Sequence, residues 1–225
     1  MSKTDEHKAH MNNYQGTNIN LRNLDRAVEL VRVNKLTDGS RAATFLRTYP
    51  ALLVAAKTSD RAVTETFLMT SAFAFGWMPG SLRVDPDRLD AAAKEFDAAR
   101  SDGAEFSQAT VAAVAGCLHS LVAASKVLHF ANPYRYPIWD SSIETFRRNT
   151  KPTAYYMAQT ENYVAYVKDV QEIKRDEGFL GFHHDYCMNY QERLRQLAIT
   201  PYPLTDLRVI ESAVYEIINA QGPFG

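Results

Sequence analysis

From Ser107 to Phe130 the chain is apolar almost without interruption, and Val111, Val114, Ala115, Leu118, Leu121 and Val122 recur at helical spacing. A helix this apolar all round needs partners on every side. The rest of the sequence supplies them. Leu21, Leu24, Val28, Val31 and Leu36 mark a helix over 21–35. The alanine-rich run Arg41 to Lys57 is interrupted at Tyr49-Pro50 and reads as two short helices. Ser59 or Asp60 is placed to cap a helix through Phe67, Leu68, Ser71, Ala72 and Phe75. Asp85-Pro86 opens another as N-cap and first helical residue, with Leu89, Ala92, Phe96 and Ala99 as its apolar stripe. Helices over 141–149, 153–175 and 182–199 follow. Thr205 caps a last one, carrying Leu207, Ile210, Val214, Ile217 and Ile218 and ending at Gly222-Pro223. No segment alternates with strand period. The expected fold is all-α, a compact multi-helix domain around the central run, itself broken near Gly116 or Ser120.

Length and composition narrow the function. The 225 residues suit one domain over 21–225, preceded by a polar, loose tail over 1–20. No apolar run reaches the roughly 18 residues a membrane span needs, and no signal core opens the chain, so the expectation is a cytoplasmic monomer. Two cysteines, Cys117 and Cys187, without C-x-x-C spacing exclude an iron–sulfur centre. His183, His184, Asp185 and Cys187 crowd together, but His183 and Cys187 give only two ligands at helical spacing, so no metal is expected. Phosphate-binding glycine loops, the G-x-S-x-G elbow and the H-E-x-x-H helix are all missing. A formal charge of −1 argues against non-specific coating of nucleic acid. Charge is nonetheless segregated: over 85–105 seven acids face three bases, whereas over 126–151 five bases face two acids. The basic part includes Arg135, Arg147, Arg148 and Lys151.

That basic part coincides with the stretch S-K-V-L-H-F-A-N-P-Y-R-Y-P-I-W-D-S-S-I, Ser125 to Ile143. Asn132-Pro133 and Tyr136-Pro137 force the backbone out of the α region between two helices. Lys126 then sits on the first helix, at the end of its apolar run, and Asp140 caps the second. A lysine held among apolar side chains loses solvation of its ammonium, which favours the nucleophilic free amine. A carboxylate at a helix N-terminus stays ionised. Together they suit cleavage of an N-glycosidic bond, with the carboxylate stabilising a cationic sugar and the amine or a water attacking the anomeric carbon. From spacing alone, a snorkelling lysine and an ordinary aspartate cap are the readier account of both residues.

The same stretch resembles the signature of bacterial 8-oxoguanine-glycosylase-like proteins in the helix-hairpin-helix (HhH-GPD) DNA glycosylase superfamily. There a lysine precedes an aspartate by a short segment ending apolar-Pro-apolar-Asp, as in Pro137-Ile138-Trp139-Asp140. The resemblance covers about twenty residues. It implies Lys126 as Schiff-base nucleophile, Asp140 as the electrostatic and proton-handling carboxylate, DNA as partner, and no cofactor. It further implies a base flipped out of DNA, with His129, Phe130, Asn132, Tyr134 and Trp139 around its pocket. Leu121-Val122-Ala123-Ala124-Ser125 departs from the superfamily's glycine-rich hairpin, which leaves phosphate contacts to Arg135, Arg147, Arg148 and Lys151. The implied activity is excision of a damaged or modified base, in repair or in defence against phage with modified DNA. The alternatives are a non-catalytic helical module, with Lys126 and Asp140 as a structural ion pair, and a glycosylase of free nucleosides.

Overall fold

A computed structural model describes residues 17–58 and 60–220. The described chain is helical throughout, with no strand: α1 (Leu21–Leu24), α2 (Arg26–Val33), α3 (Arg41–Lys57), α4 (Val63–Phe75), α5 (Leu89–Arg100), α6 (Gln108–Leu118), α7 (Leu121–Ala131), α8 (Ser141–Arg148), α9 (Ala154–Met157), α10 (Thr160–Arg175), α11 (Phe179–Gln196) and α12 (Asp206–Ala220). None of these helices is long and apolar enough to cross a membrane. The expected cap Ser59, the expected stop at Gly222-Pro223 and most of the expected tail lie outside the described residues.

Two helices organise the packing. α7 lies against α3, α4, α5 and α6. α12 lies against α1, α2, α8, α10 and α11. Their buried faces belong to one connected apolar core. The central apolar run is two helices rather than one. His119 takes a left-handed conformation at φ 50° and ends α6, and the Ser120 hydroxyl accepts the Ala123 N–H to start α7. The result is a tight helical hairpin built without glycine at the turn.

Several boundaries differ from the sequence expectation, each for a local reason. α3 runs unbroken through Pro50. The carbonyl that Pro50 cannot serve, that of Leu46, accepts instead from the Tyr202 hydroxyl at 3.0 Å. Asp85 forms a turn, its carboxylate accepting the Asp87 N–H at 3.0 Å, and α5 begins only at Leu89. α4 starts after Ala62 with no side-chain cap, so Asp60 does not serve it. The expected helix over 153–175 is split into α9 and α10 at Ala158-Gln159. Residues 17–20 are held rather than loose: Ile19 is buried, the Asn18 N–H donates to the Arg147 carbonyl at 3.0 Å, and Asn20 caps α1.

Candidate active site

The loop from Asn132 to Asp140 joins α7 to α8, and nearly every turn of it is tied down. The Asn132 amide donates to the carbonyls of Ala99 (3.0 Å) and Ser101 (3.3 Å). The Tyr163 hydroxyl donates to the Pro137 carbonyl at 2.8 Å. The Trp139 N–H donates to the Ser125 hydroxyl oxygen at 3.1 Å. His129 is fully buried. Its Nδ1–H must donate to the Tyr136 carbonyl (2.9 Å), which leaves Nε2 to accept from the Tyr49 hydroxyl (2.9 Å). Burial, then the nearby Arg208 charge, push the His129 pKa down to about 3, so the ring is neutral.

This loop delivers Asp140 to the N-terminus of α8. Oδ1 accepts the N–H groups of Ser142 (2.9 Å) and Ile143 (3.0 Å), and Oδ2 accepts the Tyr215 hydroxyl from α12. Removal from water and the charges of Asp140 and Glu211 keep the Tyr215 phenol protonated. Asp140 is thus a carboxylate with three donors and a fixed orientation.

Lys126 lies mid-helix in α7, not at a helix end, and is 7% exposed. Its amine makes no hydrogen bond or ion pair with any described residue, yet it is not among the sealed, unpartnered polar atoms. Most of the stem is covered while the nitrogen keeps a route to solvent. Burial lowers the Lys126 pKa; Asp140 and Glu211 act against this, and Arg208 and Arg41 with it. A structural ion pair between Lys126 and Asp140 is therefore absent.

Four neighbours of this pair escaped the sequence reading: Arg41, Arg208, Glu211 and Tyr215. Arg208, Glu211 and Tyr215 fall one turn apart on α12. Arg208 pairs with Glu211, and its guanidinium lies 4.7 Å from the Tyr49 ring centroid and 5.8 Å from that of Trp77. Glu211 is 1% exposed and its Oε2 has no hydrogen-bond partner. Burial raises its pKa to about 7, opposed by Arg208 and Lys126 and assisted by Asp140. The available signal was an Arg–Glu pair at i, i+3 on a helix otherwise apolar enough to be buried on most sides.

The remaining sequence candidates divide. His129, Phe130 and Trp139 are wholly inside the core, and Asn132 is nearly so; all four build the loop and its surroundings. Tyr134 is 63% exposed. Arg147 is turned inward, 8% exposed, with Nε at 2.6 Å from Asp169 and Nη1 at 2.7 Å from Glu144. Burial by itself would lower its pKa, but the Asp169 and Glu144 carboxylates raise it. Glu144 also accepts from Trp139 Nε1 and the Tyr156 hydroxyl, both at 2.8 Å. That network fixes α8 and is structural. Arg135 pairs with Glu105 at 3.0 Å. Arg148 is exposed, 4.2 Å from the Tyr156 ring centroid, and Lys151 is exposed. A cleft of about 970 Å³ opens beside Arg147, Arg148, Tyr156 and Lys168, and it includes neither Lys126 nor Asp140. No group of three or more His, Cys, Asp or Glu side chains is placed to hold a metal among the described residues.

Comparison with family models, with characterised proteins and with solved structures finds no match to this chain.

Proposed function

We propose that this protein is a DNA glycosylase of the helix-hairpin-helix kind, which flips a damaged or modified base from DNA and cleaves its N-glycosidic bond. The observation that carries this reading is the Lys126 amine. It is largely desolvated, unpaired, and charge-coupled to a carboxylate that three donors hold in place. A merely snorkelling lysine has no reason to bring such a carboxylate with it. The α6–α7 hairpin, the lysine on its second helix and the aspartate cap of the next helix also follow the order in which the superfamily signature lists them.

In this mechanism the Asp140 carboxylate stabilises the positive charge that develops on the sugar as the base departs. The free Lys126 amine attacks C1′, so a C–N bond forms as the bond to the base breaks with its electron pair on the base. Tyr134 is the exposed aromatic within the loop and is free to stack on a base. Arg148 and Lys151 are the exposed cations available for phosphate. The test is base release from a panel of damaged and modified DNAs, in duplex and single-stranded form and as free nucleosides. Release confined to DNA is expected. Release only from nucleosides would move the assignment to a nucleoside hydrolase, and no release or DNA binding across the panel would remove the catalytic reading.

A further inference from the structure

A carboxylate that caps a helix through one oxygen is held there and loose at the other. The Ser142 and Ile143 amides hold Asp140 Oδ1 at 2.9 and 3.0 Å. They leave the carboxylate plane free to swing, because an aspartate χ2 has broad wells and no sharp staggered preference. What stops the swing is on the last helix. The Tyr215 hydroxyl donates to Oδ2. Burial first, then the charges of Asp140 and Glu211, keep that phenol protonated, so it is the donor. The ring is carried rigidly: α12 packs against α8, and Val214, Ile217 and Ile218 beside Tyr215 lie in the core. The same helix holds the far end of the loop. Thr205, immediately before α12, donates its hydroxyl to the Pro133 carbonyl at 2.9 Å. Ten residues separate Thr205 from Tyr215, about 15 Å along a helix axis. The segment 133–140 is thus stretched along α12 and fastened to it at both ends.

We propose that Tyr215 is a positioning residue for Asp140: its hydroxyl fixes the carboxylate plane, so that the second lone pair of Oδ2 faces C1′ of the flipped nucleotide. This rests on the glycosylase reading above but on neither choice of nucleophile, since Asp140 steadies the sugar cation whether Lys126 or a water attacks. Tyr215 acts through Asp140 and touches no part of the substrate. The contact also gives the proposal a definite sign. A phenol donating to a carboxylate draws off part of its negative charge, which by itself weakens the attraction for a cation. If charge were all that mattered, removing the hydroxyl would speed the reaction. If orientation matters more, removing it slows the reaction, because a misplacement of about 1 Å costs up to about a hundredfold. The helix cap cannot make good the loss, since both of its amides reach only Oδ1.

The test is a double-mutant cycle on single-turnover base release at saturating DNA, with DNA affinity measured separately. Tyr215→Phe removes one oxygen and keeps the ring. Its rate should fall by about tenfold, while its DNA affinity stays within about twofold of wild type. In an Asp140→Asn background the same change should alter the rate by less than about twofold, because a residue that acts through Asp140 then has nothing left to position. A faster Tyr215→Phe variant would mean that the phenol only draws off charge. An unchanged saturated rate, whatever the melting temperature or affinity, would make the contact a structural tie. A slowing that persists in Asp140→Asn would place the action of Tyr215 elsewhere. Each of these three overturns the proposal and leaves the glycosylase reading standing, whereas a wild-type protein that releases no base from any DNA overturns both. Should Tyr215→Phe fail to fold, Tyr215→p-aminophenylalanine, a weaker donor on the same ring, takes its place in the cycle. A slowing seen only with Asp140 present supports the proposal, and no slowing, or one that persists in Asp140→Asn, refutes it.

Discussion

Replacing Asp140 separates its two jobs, because one substitution keeps the cap and another does not. In Asp140→Ala the Ser142 and Ile143 amides lose their acceptor, which costs about 1 kcal/mol for an N-cap. The Tyr215 hydroxyl also loses its acceptor. Tyr215 is part-buried with its hydroxyl withdrawn from water, so the usual penalty applies, taken at its lower bound of about 1 kcal/mol. The sum is about 2 kcal/mol, or a fall in melting temperature of about 4–8 °C for a chain of this size. Asp140→Asn keeps an oxygen for the two amides, and the Tyr215 hydroxyl can turn to accept from the new NH₂. Its cost should stay within about 0.5 kcal/mol. The charge, however, is gone, and with it the stabilisation of the sugar cation, for which a loss of about 10²–10³ in single-turnover rate is the appropriate scale. Thermal melts and single-turnover base release on the three proteins read both effects. An Asn variant that melts with the Ala variant would show that charge, not capping, anchors α8. An Asn variant with full activity would remove Asp140 from the chemistry.

Further outcomes follow from the same geometry. Borohydride should link wild-type protein to DNA, and Lys126→Ala should abolish the adduct; base release without any adduct would hand the attack to water. Arg148→Gln with Lys151→Gln should lower the log–log salt slope of DNA binding by about 1–2 units, and an unchanged slope would place DNA elsewhere. Arg147→Met should instead destabilise the fold by about 3–5 kcal/mol, because buried Glu144 and nearby Asp169 lose their cation; a denaturant curve matching wild type would contradict the inward placement. His129 is held at about 3 against 6.5 unfolded, so below about pH 6.5 the unfolded chain takes a proton that the folded chain refuses, costing about 1.4 kcal/mol per pH unit. Glu211, raised to about 7, works in the opposite direction from about pH 7 down to about 4.5. His129→Gln should therefore gain stability relative to wild type between about pH 6.5 and 5 in urea titrations, and parallel pH profiles would refute the buried neutral ring.

The Asp140 cap was legible because everything that makes it is local: a proline to leave the preceding helix, then an aspartate ahead of an amphipathic turn. Lys126 was legible as a lysine in apolar company. Its isolation was not, since two of the charged groups that act on it, Glu211 and Arg208, arrive on α12, far along the chain. The aromatic residues around the motif show a limit of another kind. Phe130 and Trp139 read equally well as pocket wall or core, and their burial follows from contacts with Tyr49 and Tyr163 on other helices and with Trp77 in the turn after α4. Arg147 and Arg148 are adjacent on α8, and only the three-dimensional positions of Glu144 and Asp169 turn one inward and leave the other out. Likewise no local rule carries α3 through Pro50, because the donor that rescues the Leu46 carbonyl comes from Tyr202.

The placement of Arg208, Glu211 and Tyr215 on the last helix has a consequence for the protein's birth on the ribosome. The α6–α7 hairpin and the Asp140 loop emerge well before α12, which must be made, released from the exit tunnel and docked before Lys126 acquires its neighbours. Until then the amine lacks the Glu211 and Arg208 charges that act on it in the folded chain. A nascent or prematurely terminated chain that stops short of Asp206 therefore carries the hairpin and the loop without the Arg208–Glu211 pair and without the Tyr215 hydroxyl that Asp140 accepts, and under the proposed mechanism its site is incomplete until the fold closes.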